Sequence, residues 1–323
     1  MRAIFRITVL LTFLTVASAP SLHAAGYPDH PVRVIVPFPA GGVTDIAARL
    51  IVQKLSDRLH QQFFVENVGG AGGNIGMAEA AHAKGDGYTV LFASSSIVVN
   101  PSLYQRMPFD VEKDLIPVTK AGASPNSWLV NQEFLAKTMN ELIDLMRANP
   151  GKYSVASPGT GTTPSLSIEM LKQGLGVSFV TVPFAGGGPM IQSVLGGFTP
   201  IACAAIGNSV PLIKQGKIRA LAITAERRLE SLPDVPTLDE LGIKGQDAET
   251  MTGVFVPAGT PQSVVALLQK QISDIVREPE IRKRLLEFGV VADGDSSADF
   301  AAYVKDEIAK WKRVIEVGKI DKI

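Results

Sequence analysis

The sequence carries a single cysteine, Cys203, inside the apolar run IACAAI. One thiol closes no intramolecular disulfide, so an oxidising compartment adds no covalent staple. Its apolar neighbours predict a core residue rather than a nucleophile or a lipid anchor. Histidine is also scarce: beyond His23 there are only His30, near the start of the following segment, and His60 and His82, toward helix ends. The chain holds no H-E-x-x-H, no C-x-x-C and no G-x-S-x-G, the signatures of zinc peptidases, thiol redox proteins and α/β-hydrolases. No catalytic residue, no cofactor and no metal is therefore expected. The acids Asp57, Glu79, Glu141, Asp144 and Glu169 fall within helical patterns, where a solvated face accounts for them.

Net charge and long apolar runs are lacking too. Lys+Arg and Asp+Glu both count 31. Without Arg2 and Arg6 the balance is 29 against 31, or −2, which argues against nucleic acid or an anionic membrane as partner. Past residue 24 the long uncharged stretches, such as Gln173 to Ile213, are broken by glycines and prolines, so no membrane span of ~20 apolar residues is expected. The start of the chain has a different character, with Arg2 and Arg6 before the apolar run Ile7 to Val16 and small residues through Ala24-Ala25. That layout predicts a secretory signal peptide over residues 1–24, cleaved to release a periplasmic protein.

What the sequence does have is alternation. Short runs rich in Val, Ile and Phe, such as Val32 to Phe38, Thr89 to Ala93, Ile116 to Ala121, Trp128 to Asn131 and Met251 to Val256, alternate with helical patterns. Examples of the latter are Thr44 to Leu59, Met139 to Ala148 and Pro261 to Val276. This predicts an α/β fold of parallel sheets flanked by helices. Glu278 to Ile320 reads as helical, with the stripe Phe300, Val304, Ile308, Trp311 and Ile315 closing over the N-terminal part. Crossover-like segments near Ala121 to Trp128 and Thr250 to Val256 predict a discontinuous first lobe, 25–124 plus 249–323, with a second lobe of 125–248 inserted.

One strand-to-helix signature occurs twice, as VIVPFPAGGVTDIAARL and as FVTVPFAGGGPMIQSVL, with a related loop in YSVASPGTGTTPSLSIEM. Glycine permits positive φ and close approach of a ligand to the backbone. A helix that begins just after such a loop presents unpaired N–H groups and the positive end of its dipole, which binds anions without a cationic side chain. Asp45 has two readings here, a helix cap or a ligand contact. Arg49, a turn further on, is expected to matter little for binding. GGAGGNIG, Gly69 to Gly76, matches neither G-x-G-x-x-G nor a phosphate loop, so it carries no nucleotide-binding signature.

In order along the chain, VPFPAGGVTDIAAR, FVENVGGAGGNIGMAEAAHAKGDGYTVLFAS, NPSLY, VPFAGGGPMIQSVLGG, GKIRALAIT, LPDVPTLDELG and VFVPAGTP resemble signatures of the Bug (Bordetella uptake gene) family. These are periplasmic solute-binding proteins of tripartite tricarboxylate transporters. The resemblance implies a two-lobed periplasmic binding protein of the type II, Venus-flytrap kind, each lobe a sheet flanked by helices. It also implies a monomer that binds a small carboxylate in the interlobe cleft through main-chain groups and ordered water, and that delivers it to membrane permease subunits. Carried over by position, Phe38, Ala40, Gly41, Thr44 and Asp45 form one jaw and Phe184, Ala185, Gly186 and Gly187 the other. Ser94, Ser95, Ser157, Gly159, Thr162, Thr163 and Asn208 line the walls.

Two positions depart from the commoner family pattern: Ala185 replaces a frequent Lys, and Ser165-Leu166 replaces a frequent His-Leu. Both remove an ionisable group, which favours a monocarboxylate or a mixed polar and apolar molecule over citrate. Two other functions stay open at this level. One is a periplasmic receptor feeding a sensor, separable by its genomic neighbours; the other is an exported α/β enzyme using helix termini as an oxyanion site.

Overall fold

The computed structural model describes residues 26–323, and the expected signal peptide lies outside the described residues. In chain order the first half contains β1 (Val32–Val36), α1 (Val43–Leu59), β2 (Phe63–Asn67), α2 (Asn74–Ala81), β3 (Thr89–Ser94), α3 (Ser96–Leu103), α4 (Val111–Asp114) and the long β4 (Leu115–Asn131). There follow α5 (Met139–Ala148), β5 (Ser154–Ser157), α6 (Thr163–Leu175), β6 (Val180–Pro183), α7 (Gly187–Leu195), β7 (Ile201–Ala205), α8 (Val210–Lys214) and β8 (Ile218–Ile223). The chain ends with β9 (Glu249–Pro257), α9 (Gln262–Arg277), α10 (Pro279–Glu287), β10 (Val291–Ala292) and α11 (Ser297–Val317).

The strands form one sheet in the order β2-β1-β3-β9-β4-β7-β5-β6, with β8 and β10 also on β4. Its two parts meet within β4. Leu115 to Pro125 pairs with β9, whereas Asn126 to Val130 pairs with β7 and Ser127 to Asn131 with β8. The sheet is mixed, not parallel as the alternation predicted. β1 is parallel to β2 and β3, and β5 to β6 and β7; β9 runs antiparallel to β3 and β4, and β4 antiparallel to β7. The reason is topological: β4 leaves the first part and β9 returns to it, so the two run side by side in opposite directions.

Two further expectations change. Ile116 to Ala121 and Trp128 to Asn131 belong to one strand, since the small residues between them stay extended and Ala121 to Val130 are all buried. Glu278 to Ile320 is two helices separated by β10, because Gly289 and Gly294 adopt φ of +63° and +94°, outside any right-handed helix.

The core follows the apolar pattern. Phe300, Val304, Trp311 and Ile315 on α11 are buried against a cluster that includes Ile97, Val98 and Phe255, on the first part of the sheet. Cys203 is fully buried in the cluster containing Trp128 and Ile168, and burial pushes its thiol well above the ordinary range.

Candidate ligand-binding site

Where the two parts of the sheet adjoin lies a cavity of about 60 Å³, room for about two waters at ~30 Å³ each. Its walls are the amino ends of helices. From α1 come Val43, Thr44 and Asp45, from α6 Thr163 and Pro164, and from α7 Gly187, with Ser95 just before α3. The first N–H groups of a helix have no helical acceptor, and these ends point partial positive charge at the enclosed space.

Local geometry explains why the chain turns this way. In the first loop Gly41 has φ +86° and Gly42 precedes α1 in an extended conformation. The Asp45 carboxylate accepts from Gly41 N–H (2.9 Å), from Asn67 Nδ2 (2.9 Å) and from Arg49 Nε (3.1 Å to each oxygen). Asn67 Nδ2 also donates to the Phe38 carbonyl, and Arg49 Nη2 donates to Asn67 Oδ1 at 2.8 Å. Burial opposes ionisation of Asp45, but the bonds from Arg49, Gly41 and Asn67 outweigh it and hold the carboxyl below its usual range. Asp45 is thus a brace inside the loop with its acceptor positions occupied. Arg49 helps to hold it in place.

In the second half, Gly186 has φ +130° just ahead of α7. A Cβ built there would sit 3.2 Å from Pro39 Cδ, so the two glycine loops touch across the cleft. Thr162 caps α6 by accepting from Ser165 N–H, and its hydroxyl donates to the Gly159 carbonyl. Beside it a buried chain of side chains joins α6 to both long strands. Thr163 bonds Thr250 at 2.9 Å, Thr250 donates to Asn126 Oδ1 at 3.0 Å, and Asn126 Nδ2 donates to Ser167 at 3.0 Å. Ser95 donates to the Glu249 carbonyl and accepts from Met251 N–H, which fixes the start of α3 to β9.

Of the residues named from the sequence, Phe38, Thr44, Asp45, Ser94, Ser95, Thr162, Thr163, Gly186, Gly187 and Asn208 line the cavity. Ala40, Gly41, Ser157, Gly159, Phe184 and Ala185 do not; Ala40, Gly41 and Ala185 are exposed, and Ser157 is buried behind the wall. Sequence reasoning missed Pro39, Val43, Ala204, Ala205 and Thr250, among others. The rule that ligands sit at the carboxyl ends of strands would have found Ala204 and Ala205 at the end of β7. Ser165 and Ala185 are both off the wall, so selectivity has to be argued from the lining itself. Among the described residues, Asp45 is the only ionisable one in that lining. Among the described residues no cluster suited to a metal occurs, and no helix is long and apolar enough to cross a membrane.

The receptor family of tripartite tricarboxylate transporters, TctC, matches residues 47–320. The chain belongs to this family. Among solved structures, the R. palustris protein Rpa4515 with adipate is 31% identical, with TM-score 0.89 over 92% of this chain and 100% of that one. The periplasmic binding protein BugD is 31% identical, with TM-score 0.88 over 92% of this chain and all of BugD (100%). MatC from Rhodopseudomonas palustris with bound malate is 32% identical, with TM-score 0.84 over 89% of this chain and 99% of MatC. The resemblance to the Bug proteins and the two-lobed α/β fold drawn from it both hold for this TctC-family chain.

Proposed function

We propose that this chain is an exported periplasmic receptor that captures a small carboxylate between its lobes and hands it to the membrane permease subunits of a tripartite tricarboxylate-type transporter. On this reading lobe 1 comprises 25–124 and 249–323 and lobe 2 comprises 125–248, with the chain crossing between them in β4 and just before β9. The lobes part to admit ligand and close over it as a monomer. One observation carries the proposal: several helix amino ends meet around a cavity whose lining holds no Lys, Arg or His.

Such a site attracts anions through backbone dipoles, each worth roughly 0.3–1 kcal/mol when exposed and up to ~2 kcal/mol when partly buried. One carboxylate can be held that way, by N–H groups of α1 and α7 together with the Thr44 hydroxyl. A second or third carboxylate in the same enclosure would shed its water with no cation opposite, at a cost of several kcal/mol. The adipate and malate bound by two relatives, both dicarboxylates, support a small organic acid as the ligand class, with one carboxylate among the helix ends and any other directed away from them. The test is mass spectrometry of small molecules released on denaturing the protein purified from its own host. A carboxylic acid at near-stoichiometric yield is expected, and a nucleotide or sugar in its place would defeat the proposal.

A further inference from the structure

Away from the ligand cavity, a second depression of about 490 Å³ runs between the two parts of the molecule. Its floor is apolar. Leu229 comes from the segment after β8, Leu286 from α10, Val291 from β10 and Val290 from just before it. Val291 leaves 51% of its surface exposed, on a short strand that pairs with β4 alone. The rim is basic, made of Arg228, Arg277, Arg282 and Lys283, with Glu230 the only acid.

Most of that charge is uncommitted. Arg228 pairs with Glu240 at 2.9 Å. Arg277 donates to the Gly294 carbonyl, and neither it nor Arg282 or Lys283 makes an ion pair among the described residues, where all three are exposed. Three cations without an ion pair among the described residues, over an apolar floor, stand out in a chain whose balance past residue 24 is −2, from 29 basic and 31 acidic residues.

We propose that this groove docks an acidic, extended segment of a partner protein, which sets carboxylates against Arg277, Arg282 and Lys283 and an apolar side chain against Val290 and Val291. Charge complementarity selects the partner and speeds encounter, and the open edge of β10 offers main-chain bonds to an extended chain. A lipid surface fits less well, because a flat headgroup layer resting on the rim cations would leave the apolar floor of the concavity unfilled. Both lobes contribute to the groove, so its shape changes when they part, and a partner bound there senses whether the receptor is closed. That physiological meaning, docking on the transporter, rests on the receptor reading above; the binding chemistry does not.

The experiment uses the mature chain and the double variant R282E/K283E, on an exposed helix face, with melting temperature as the check on folding. The probes are a fluorescein-labelled peptide with acidic residues flanking a central leucine, its lysine-substituted counterpart, and phosphatidylglycerol vesicles. In low salt the acidic peptide should bind the wild-type protein, weaken by about tenfold in the variant and weaken likewise as salt is raised. The lysine peptide and the vesicles should not bind. Absence of acidic-peptide binding, equal binding by the folded variant, or vesicle binding abolished by R282E/K283E would each overturn the proposal. A carboxylate-induced melting shift in both proteins is read separately: if it persists while peptide binding is absent, docking falls and the receptor reading stands; if it is absent while the peptide binds, the reverse holds.

Discussion

Replacing Asp45 separates two ways in which a buried carboxylate can act beside an anion site. If its charge dominates, removing it should strengthen anion binding. If it braces the loop, removing it should weaken binding. In Asp45→Ala, Gly41 N–H and one donor direction of Asn67 lose their acceptor, and Arg49 loses its ion partner. Arg49 is half exposed and rehydrates easily, and Asn67 keeps its bond to the Phe38 carbonyl, so the loss is about 2 kcal/mol rather than the larger cost of a fully buried pair. The substitution also removes the repulsion between Asp45 and a bound anion, but that charge is already paired with the half-exposed Arg49 guanidinium at 3.0 Å, so the electrostatic return is small beside the brace. The brace wins. The variant should melt roughly 4 to 8 °C lower by calorimetry at pH 7. It should also bind its copurifying carboxylate about tenfold more weakly by titration calorimetry, since about 1.4 kcal/mol is a factor of ten. Tighter carboxylate binding by Asp45→Ala would refute the reasoning.

Three further outcomes are expected. Gly187→Ala should weaken carboxylate binding with little loss of melting temperature, because a Cβ there meets the Asn208 amide nitrogen at the cavity wall; unchanged affinity by calorimetry would count against that wall. Asp295→Asn should raise the melting temperature at pH 8 but not near pH 4. Burial, then the hydrogen bond and charge of Asp293, push the Asp295 carboxyl up to about 6. Its unfolded value is about 3.9, so the stability that goes with the protonated form is present below about pH 4 and lost as pH rises through about 6. Cys203 should react with a thiol reagent only after unfolding, since it is fully buried and its thiol is pushed up by burial.

Much of the first jaw was legible in the sequence because its signals are local. VPFPAGG must leave a strand and open a helix, and that alone places Phe38, Thr44 and Asp45 beside a helix amino end. The role of Asp45 was not legible, because its partner Asn67 lies on the neighbouring strand β2, 22 residues away. The mixed direction of the sheet escaped for a similar reason: Ala121 to Ser127 is small and polar, which reads as a loop until burial from both sides keeps it extended. Thr250 was assigned to a crossover but not to the cavity, since its contacts to Thr163 and Asn126 span 87 and 124 residues. Ala185 and Ser165 mark the opposite failure. Their departure from a family pattern suggested a change in the pocket, yet neither reaches its wall.

The central claim is that backbone donors, without a cation, hold one carboxylate in the cavity. Its most direct test is a thermal-shift screen of mono-, di- and tricarboxylates on the mature protein after its bound ligand has been stripped by unfolding and refolding. A ligand at 100 times its dissociation constant contributes about 2.7 kcal/mol, a shift of several degrees. Small monocarboxylates should shift the melting temperature more than citrate does. The largest shift from citrate or another tricarboxylate, with none from monocarboxylates, would contradict it.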